Sequence, residues 1–224
     1  MHLTNAIYSD YRRHRACGAR NALAVILFAQ GFWATFVFRV CRSLTQSVHV
    51  PVLRQVCRLL CLILQKLAEI VTGISLPLDC AVGPGLYIGH MGPVIINSAV
   101  RIGANCNLSH LVTIGIGGRG AKRGCPVLGD RVYVGPGAII FGNISIGDDV
   151  AVGAGAIVTK SIPSRAVVAG NPARILSCQG SFDFVRYDGM EADPARILAQ
   201  QQPTPKPIPS SEEPTKHEAC SDFL

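Results

Sequence analysis

The sequence predicts a mainly β chain, a β-solenoid preceded by an α-helical region and followed by a polar tail. Three observations carry this expectation. Aliphatic residues recur at every sixth position between Leu76 and Val158, the segment before Gly73 has helical patterning, and from Gln200 the composition shifts to proline and polar residues.

Residues 1–73 form the basic, apolar helical unit. From Asn21 to Phe38, 18 residues pass without a charge, the lower limit for a membrane span. Gln30 and Gly31 interrupt the run, and an interior glycine destabilises a helix by roughly 1 kcal/mol. The pattern therefore predicts two shorter helices, about 9 to 25–30 and 32 to 46. Pro51 suits a first helical position and Gly73 the residue past the end, which predicts a third helix. In it Arg54, Gln55, Arg58, Gln65, Lys66 and Glu69 share one stripe, leaving a wide apolar face that calls for neighbours, a second subunit or lipid.

The charge is concentrated in this unit. Residues 1–73 hold nine Lys or Arg against Asp10 and Glu69, while residues 74–224 hold twelve of each sign, so the net +7 belongs to the first third. A basic apolar segment suits an anionic membrane surface, partner helices or nucleic acid, and the lack of any nucleic-acid reading motif argues against the last. Nine scattered cysteines without a CxxC pair indicate neither a disulfide framework nor a metal site. The expected location is the cytoplasm, with the inner face of the membrane as the place of any peripheral contact. No cleavable signal peptide is expected, because Arg12, Arg13, Arg15 and Arg20 precede the first apolar run and no small-residue cleavage site follows it.

Residues 74–178 carry the repeat. Leu76, Val82 and Ile88 are followed, after two extra residues at Val94 and Ile95, by Ile96, Ile102, Leu108 and Ile114. After a longer interruption come Leu128, Val134, Ile140, Ile146, Val152 and Val158. The next position is often glycine, and the fifth is small or apolar, as at Cys80, Val100, Cys106, Val112, Val132, Ala138, Val150 and Ala156. A helix needs a period of 3.6 and a simple strand a period of 2, so a period of six calls for stacked coils of short strands that turn at glycine. Residues 179–199 form a short extension, where "DPARIL" (193–198) echoes "NPARIL" (171–176) and reads as a short helix. Residues 200–224, proline-rich and without an apolar period, are expected to be disordered.

The repeats, the ending "VTKSIPSRAVVAGNPARI" and the segment around His90 together resemble the hexapeptide-repeat acyltransferases, most of all serine O-acetyltransferase and its exopolysaccharide-cluster relatives. "AQGFWATFVFRVCRSL" resembles the end of that family's helical region. The resemblance implies a left-handed parallel β-helix of triangular section with three repeats per coil. It also implies a homotrimer or a dimer of trimers, with acetyl-CoA as co-substrate and an active site in each groove between subunits.

His90 and His110 are each the third residue of a repeat, separated by three repeats plus the insertion, which is one full coil. Both imidazoles are therefore expected in one outer column. Acetyl transfer to a hydroxyl needs a base, and imidazole serves at neutral pH. By resemblance His90 is that base; His110 reads as a polar residue in the groove that positions the acceptor or the pantetheine arm, and the bland alternative for each is a solvated outward histidine. The interruption 115–127 carries Arg119, Lys122 and Arg123 among five glycines, reads as a flexible protruding loop near the base, and suits an anionic partner. Lys160 and Arg174 are the cations available to coenzyme A, and Ala138, Gly153, Ala154 and Gly155 are expected to line its arm.

The chain also departs from the pattern. Ser75 stands where the family's orienting aspartate is expected, and Gly89 where an aspartate precedes the catalytic histidine. Gly124 and Cys125 fall where the family has arginine and histidine. Cys125 reads as an acceptor-pocket residue, a redox-sensitive thiol or an ordinary loop cysteine, and Arg123 belongs with the same acceptor-facing loop. Three functions stay open on this reading: O-acetylation of L-serine, O-acetylation of a sugar hydroxyl on an exopolysaccharide or lipid-linked saccharide, and a non-catalytic β-helix scaffold.

Overall fold

The structure, a computed structural model, describes residues 3–18 and 21–202; residues 203–224, most of the expected disordered tail, lie outside it. Four helices lead in: α1 (Leu3–Ala16), α2 (Ala22–Phe28), α3 (Gln30–Ser47) and α4 (Pro51–Thr72). The two helices expected before Pro51 are thus three, and Gly31 opens α3 instead of separating two helices. The reason is a close approach. A Cβ on Gly31 would overlap the carbonyl oxygen of Ile88, so glycine lets α3 lie directly on the solenoid.

Residues 74–177 wind into three parallel sheets that form the faces of a prism. The first face stacks β1 (Ile74–Ser75), β4 (Val94–Ile96), β7 (Val112–Gly115), β10 (Ile139–Phe141) and β13 (Ile157–Val158). The second stacks β2 (Ala81–Val82), β5 (Arg101–Ile102), β8 (Val127–Leu128) and β11 (Ser145–Ile146). The third stacks β3 (Tyr87–Ile88), β6 (Asn107–Leu108), β9 (Tyr133–Val134), β12 (Ala151–Val152) and β14 (Val167–Ala169), closed by antiparallel β15 (Arg174–Ser177). On most faces each coil buries the aliphatic of the sixth-position series and the small or apolar residue two before it, as with Val94 and Ile96 or Val112 and Ile114. The sixth-position series lies in one core, with Val82 half-buried at its edge, and the stack continues past Val158 to Ile162 and Val168.

The two extra residues of the second coil lie elsewhere than expected. Val94 is fully buried and pairs in register with Ile74 and Val112, so Val94 and Ile95 belong to a regular strand. The surplus is in the corner between Ile88 and Val94, which holds His90 and Gly92.

The helices are bolted to the first coil by buried polar bonds. Arg39 donates to both carboxylate oxygens of Asp10 and to the carbonyls of Val82 and Gly83, while Asp10 accepts from the Leu86 amide. Arg13 donates to the Gly85 carbonyl and to Asn107. Arg39 is therefore a fastener, ion-paired and hydrogen-bonded on burial as a charge must be, and Arg13 is a second, held by carbonyl and amide oxygens with its Nη1 buried and unbonded. At the far end α5 (Pro194–Gln201) begins at Asp193, whose carboxylate accepts from the amides of Ala195 and Arg196. The echoed hexapeptides take different forms: the first copy enters β15, and the second forms the helix.

Candidate active site

The prism has one corner where the chain passes from the third face to the first. In successive coils that corner holds His90, His110, Pro136, Ala154 and Gly170, each two residues past the strand residue that points into the core. Register makes the column, since Ile88 pairs with Leu108 and Leu108 with Val134. The two imidazoles meet edge to face, ring centroids 5.8 Å apart at 88°. His90 is exposed; His110 is half-buried, and its Nδ1 is buried without a hydrogen-bond partner. Below them the corner is fastened by backbone bonds, from the Gly137 amide to the His110 carbonyl and from the Gly155 amide to the Pro136 carbonyl.

Gly92 matters here because a Cβ on it would lie 3.1 Å from the Cβ of His110, so the widened corner can close over the second imidazole only with glycine. Leu111 takes φ +60°, the left-handed region, where later coils have Gly137 and Gly155. Tyr87 is the other residue the repeat pattern did not single out. Its ring lies where a side chain at Gly89 would go, the nearest ring atoms being 2.9 Å from an ideal Cβ, and it packs 4.8 Å from the ring of His14 on α1. Its signal in the sequence is being the one aromatic residue in an outward repeat position directly before "IGH".

The other expected residues divide. Gly153, Ala154 and Gly155 belong to the imidazole corner, Ala154 and Gly155 exposed, with open space where a Cβ on Gly155 would point. Ala138 does not belong there: it is fully buried in the core, as its fifth position in the repeat requires, and cannot line a groove. Ser75 lies beneath α4, lining a cavity of about 210 Å³ with Gln65, Lys66 and Glu69. Among the described residues no carboxylate is within ion-pair distance of His90 or His110.

The basic loop leaves the next corner, between the first and second faces, with the whole first face separating it from the imidazoles of the same chain. The expectation of a loop beside the base therefore fails within one chain. The loop is also latched: Gly117 and Gly124 exchange backbone hydrogen bonds of 3.0 and 2.9 Å, and a short turn at Gly120–Lys122 caps it. Gly124 is packed so closely on Asn143 that no side chain fits there without displacing it. Arg119, Lys122 and Arg123 are exposed. Cys125 is half-buried, with Sγ 3.3 Å from the Asn97 Oδ1, and burial pushes its thiol pKa up, away from the reactive thiolate. Lys160 is exposed at this second corner, and Arg174 is exposed on the last strand.

The chain is 33% identical over 181 residues to the serine acetyltransferase of Synechococcus elongatus, covering 80% of this chain and 71% of that protein. The chain belongs to the serine acetyltransferase family. It is thus an acyltransferase, and its solenoid is the left-handed β-helix of that family. Among solved serine acetyltransferases, the soybean enzyme complexed with serine superposes with a TM-score of 0.67 at 32% identity, over 78% of this chain and 69% of that one. The Brucella abortus serine acetyltransferase in complex with coenzyme A gives 0.64 at 28% identity, over 78% and 66%. No protein-family model matches the sequence.

Proposed function

We propose that this chain transfers the acetyl group of acetyl-CoA to a hydroxyl, with His90 as general base and L-serine as acceptor. The observation that carries the reading is the exposed imidazole of His90 at the head of a small-residue corner. The family relatives bound to serine and to coenzyme A support both substrates. In the reaction a neutral ring nitrogen of His90 takes the hydroxyl proton as the oxygen adds to the thioester carbonyl. The tetrahedral intermediate then collapses, the C–S bond breaks, and the imidazolium returns the proton to the departing thiolate. Such a base contributes about 10²- to 10⁴-fold. His110, against the face of the first ring, positions the acceptor.

The acting form is a trimer in this reading. Within one chain the imidazole corner and the basic loop are a face apart, and that face exposes Ile95 at 54%. Packing it against a neighbour brings the loop of one copy to the histidines of the next, where Arg123 and Lys122 meet an anionic substrate.

A saccharide hydroxyl is the second reading, favoured by two observations: among the described residues no carboxylate is within ion-pair distance of the imidazoles, and Tyr87 occupies the space of a side chain at position 89. An amino acid would forgo charge-assisted bonds of about 1.5–3 kcal/mol each; a sugar needs none. The test is release of free thiol from acetyl-CoA with L-serine and with a panel of sugars, for the full chain and for His90→Ala. Serine-dependent release that vanishes in the variant is the expected result. Release with sugars alone moves the acceptor to saccharides, and release indifferent to His90 overturns the proposal.

A further inference from the structure

Tyr87 stands at the imidazole corner and takes no part in the proton transfers of His90. It lies in β3, in register with Asn107 of the next coil, and its ring is held from the helical side. The ring of His14 is 4.8 Å away, and the Arg13 guanidinium lies 5.9 Å from the Tyr87 centroid. Held there, the ring runs across Gly89, with its hydroxyl oxygen 2.9 Å from where a Cβ on Gly89 would stand. Consecutive Cα atoms are about 3.8 Å apart, so the phenol ends within one residue's length of the backbone that carries His90. Its hydroxyl is spare: among the described residues it makes no hydrogen bond, although the side chain is half-buried. Asn107, its neighbour on the face, is by contrast committed, accepting from Arg13 and donating to the Phe184 carbonyl. Burial raises the Tyr87 pKa above its ordinary value, so the group is a neutral hydroxyl that can both donate and accept.

We propose that Tyr87 is a specificity-determining residue whose hydroxyl bonds the polar group on the carbon next to the acceptor's reacting hydroxyl. It thereby selects a vicinal amino alcohol or a vicinal diol over a simple alcohol. The inference rests on the reading of His90 as the base. Glycine at 89 offers no side chain, and the phenol fills that space with one hydrogen-bonding oxygen and no charge. The ammonium of an amino acid donates to such an oxygen, and a sugar hydroxyl donates or accepts, so both acceptor classes make the same contact. Because α1 already holds the ring, little freedom is lost when an acceptor arrives. An acceptor lacking the neighbouring polar group would leave the phenol unbonded in a desolvated site, which is how a hydrogen-bonding site rejects an analogue.

Acetyl-transfer kinetics of the full chain test it, with L-serine, with methyl glucoside and with β-hydroxypropionate, which is serine without its amine. Tyr87→Phe removes the hydroxyl and keeps the ring that packs on His14, so the fold is retained. It raises KM for L-serine about tenfold, while KM for acetyl-CoA and KM for β-hydroxypropionate keep their values. Serine thus loses its advantage over the analogue without the amine. The same loss with methyl glucoside, where that is the acceptor turned over, assigns the contact to a saccharide. An unchanged acceptor KM in Tyr87→Phe, or an equal loss with L-serine and β-hydroxypropionate, overturns the inference and leaves Tyr87 a packing residue. Transfer that needs His90 but not the Tyr87 hydroxyl overturns this inference alone, whereas no transfer to any acceptor by the unaltered chain overturns the reading of the site and this inference with it.

Discussion

The two corners that border the first face of the prism are built from the same repeat and do different things. At the imidazole corner every coil turns in a few residues, and the side chains that result are in register down the axis: His90, His110, Pro136, Ala154. At the other corner one coil breaks out into a 13-residue basic loop, held at its neck by Gly117 and Gly124. The first arrangement fixes atoms; the second projects charge. Chemistry that needs a base at a set distance belongs to a column, because neighbouring coils hold each position through backbone bonds. Recognition of a large anion belongs to the projection, and in the proposed trimer a neighbouring copy supplies it.

The sharpest way to separate the corners is by kinetics. His90→Ala should lower kcat about 10²- to 10⁴-fold with little change in KM for acetyl-CoA. Replacing Arg119, Lys122 and Arg123 together by glutamine should instead raise KM and leave kcat within a few-fold. Mixing the two variants, assayed at low acetyl-CoA, should recover activity that neither shows, since one copy would keep the base and its neighbour the loop. Absence of recovery would confine the site to a single chain.

Acid separates the corners in another way. His14 underlies the imidazole corner through Tyr87 and is the only buried histidine among the described residues. Burial, assisted by Arg13, pushes the His14 pKa down from 6.5 to about 4. Phe32 and Tyr87 pack on the ring, and among the described residues no carboxylate is within ion-pair distance of it. The unfolded chain therefore takes up this proton first, and folded stability falls as pH drops from 6.5 towards 4, by roughly 3 kcal/mol at most. Above 6.5 the contribution is constant. Melting curves of the unaltered chain and His14→Phe should diverge in acid and run parallel at neutral pH; equal acid sensitivity would remove His14 from this role.

Interior and corner alanines differ in the same spirit. Ala138→Leu overpacks the core, costs about 1–3 kcal/mol and should lower Tm with KM for acetyl-CoA unchanged. Ala154→Trp fills the open strip and should raise KM with Tm unchanged. A reversal of the two would mean the coils are out of register.

How much of this was legible beforehand follows from what repeats. The aliphatic series located the core and the face of His90, because burying the same positions on every face leaves a period no other fold shares. The same series already marked Ala138 as interior, a fifth-position residue beside Val132 and Ala156; expecting it in a groove followed resemblance over position. Contacts across elements left no period to read. Gly31 looked like a helix breaker because the carbonyl of Ile88 that demands it lies 57 residues away in sequence. Ser75 entered by resemblance, at the place of the family's orienting aspartate, and no pattern in the sequence tells that α4 folds back over β1 beside it. The surplus pair was assigned to Val94 and Ile95 because a list of aliphatics cannot show whether a strand or its corner has been lengthened.

The smallest effect concerns Leu111, the next residue after His110. In the coils beneath it the left-handed position of this corner is glycine, at Gly137 and Gly155. A leucine there costs roughly 1 kcal/mol, and its side chain, 54% exposed, recovers little of that by burial. Strain of this kind persists where it serves the site. Leu111→Gly should relieve the backbone, but it also frees the unfolded chain by about 0.4–1 kcal/mol, so Tm should rise only slightly or hold. The acceptor KM should rise instead, because an apolar wall beside His110 is lost. A variant with unchanged acceptor KM would mean that Leu111 does not touch the acceptor.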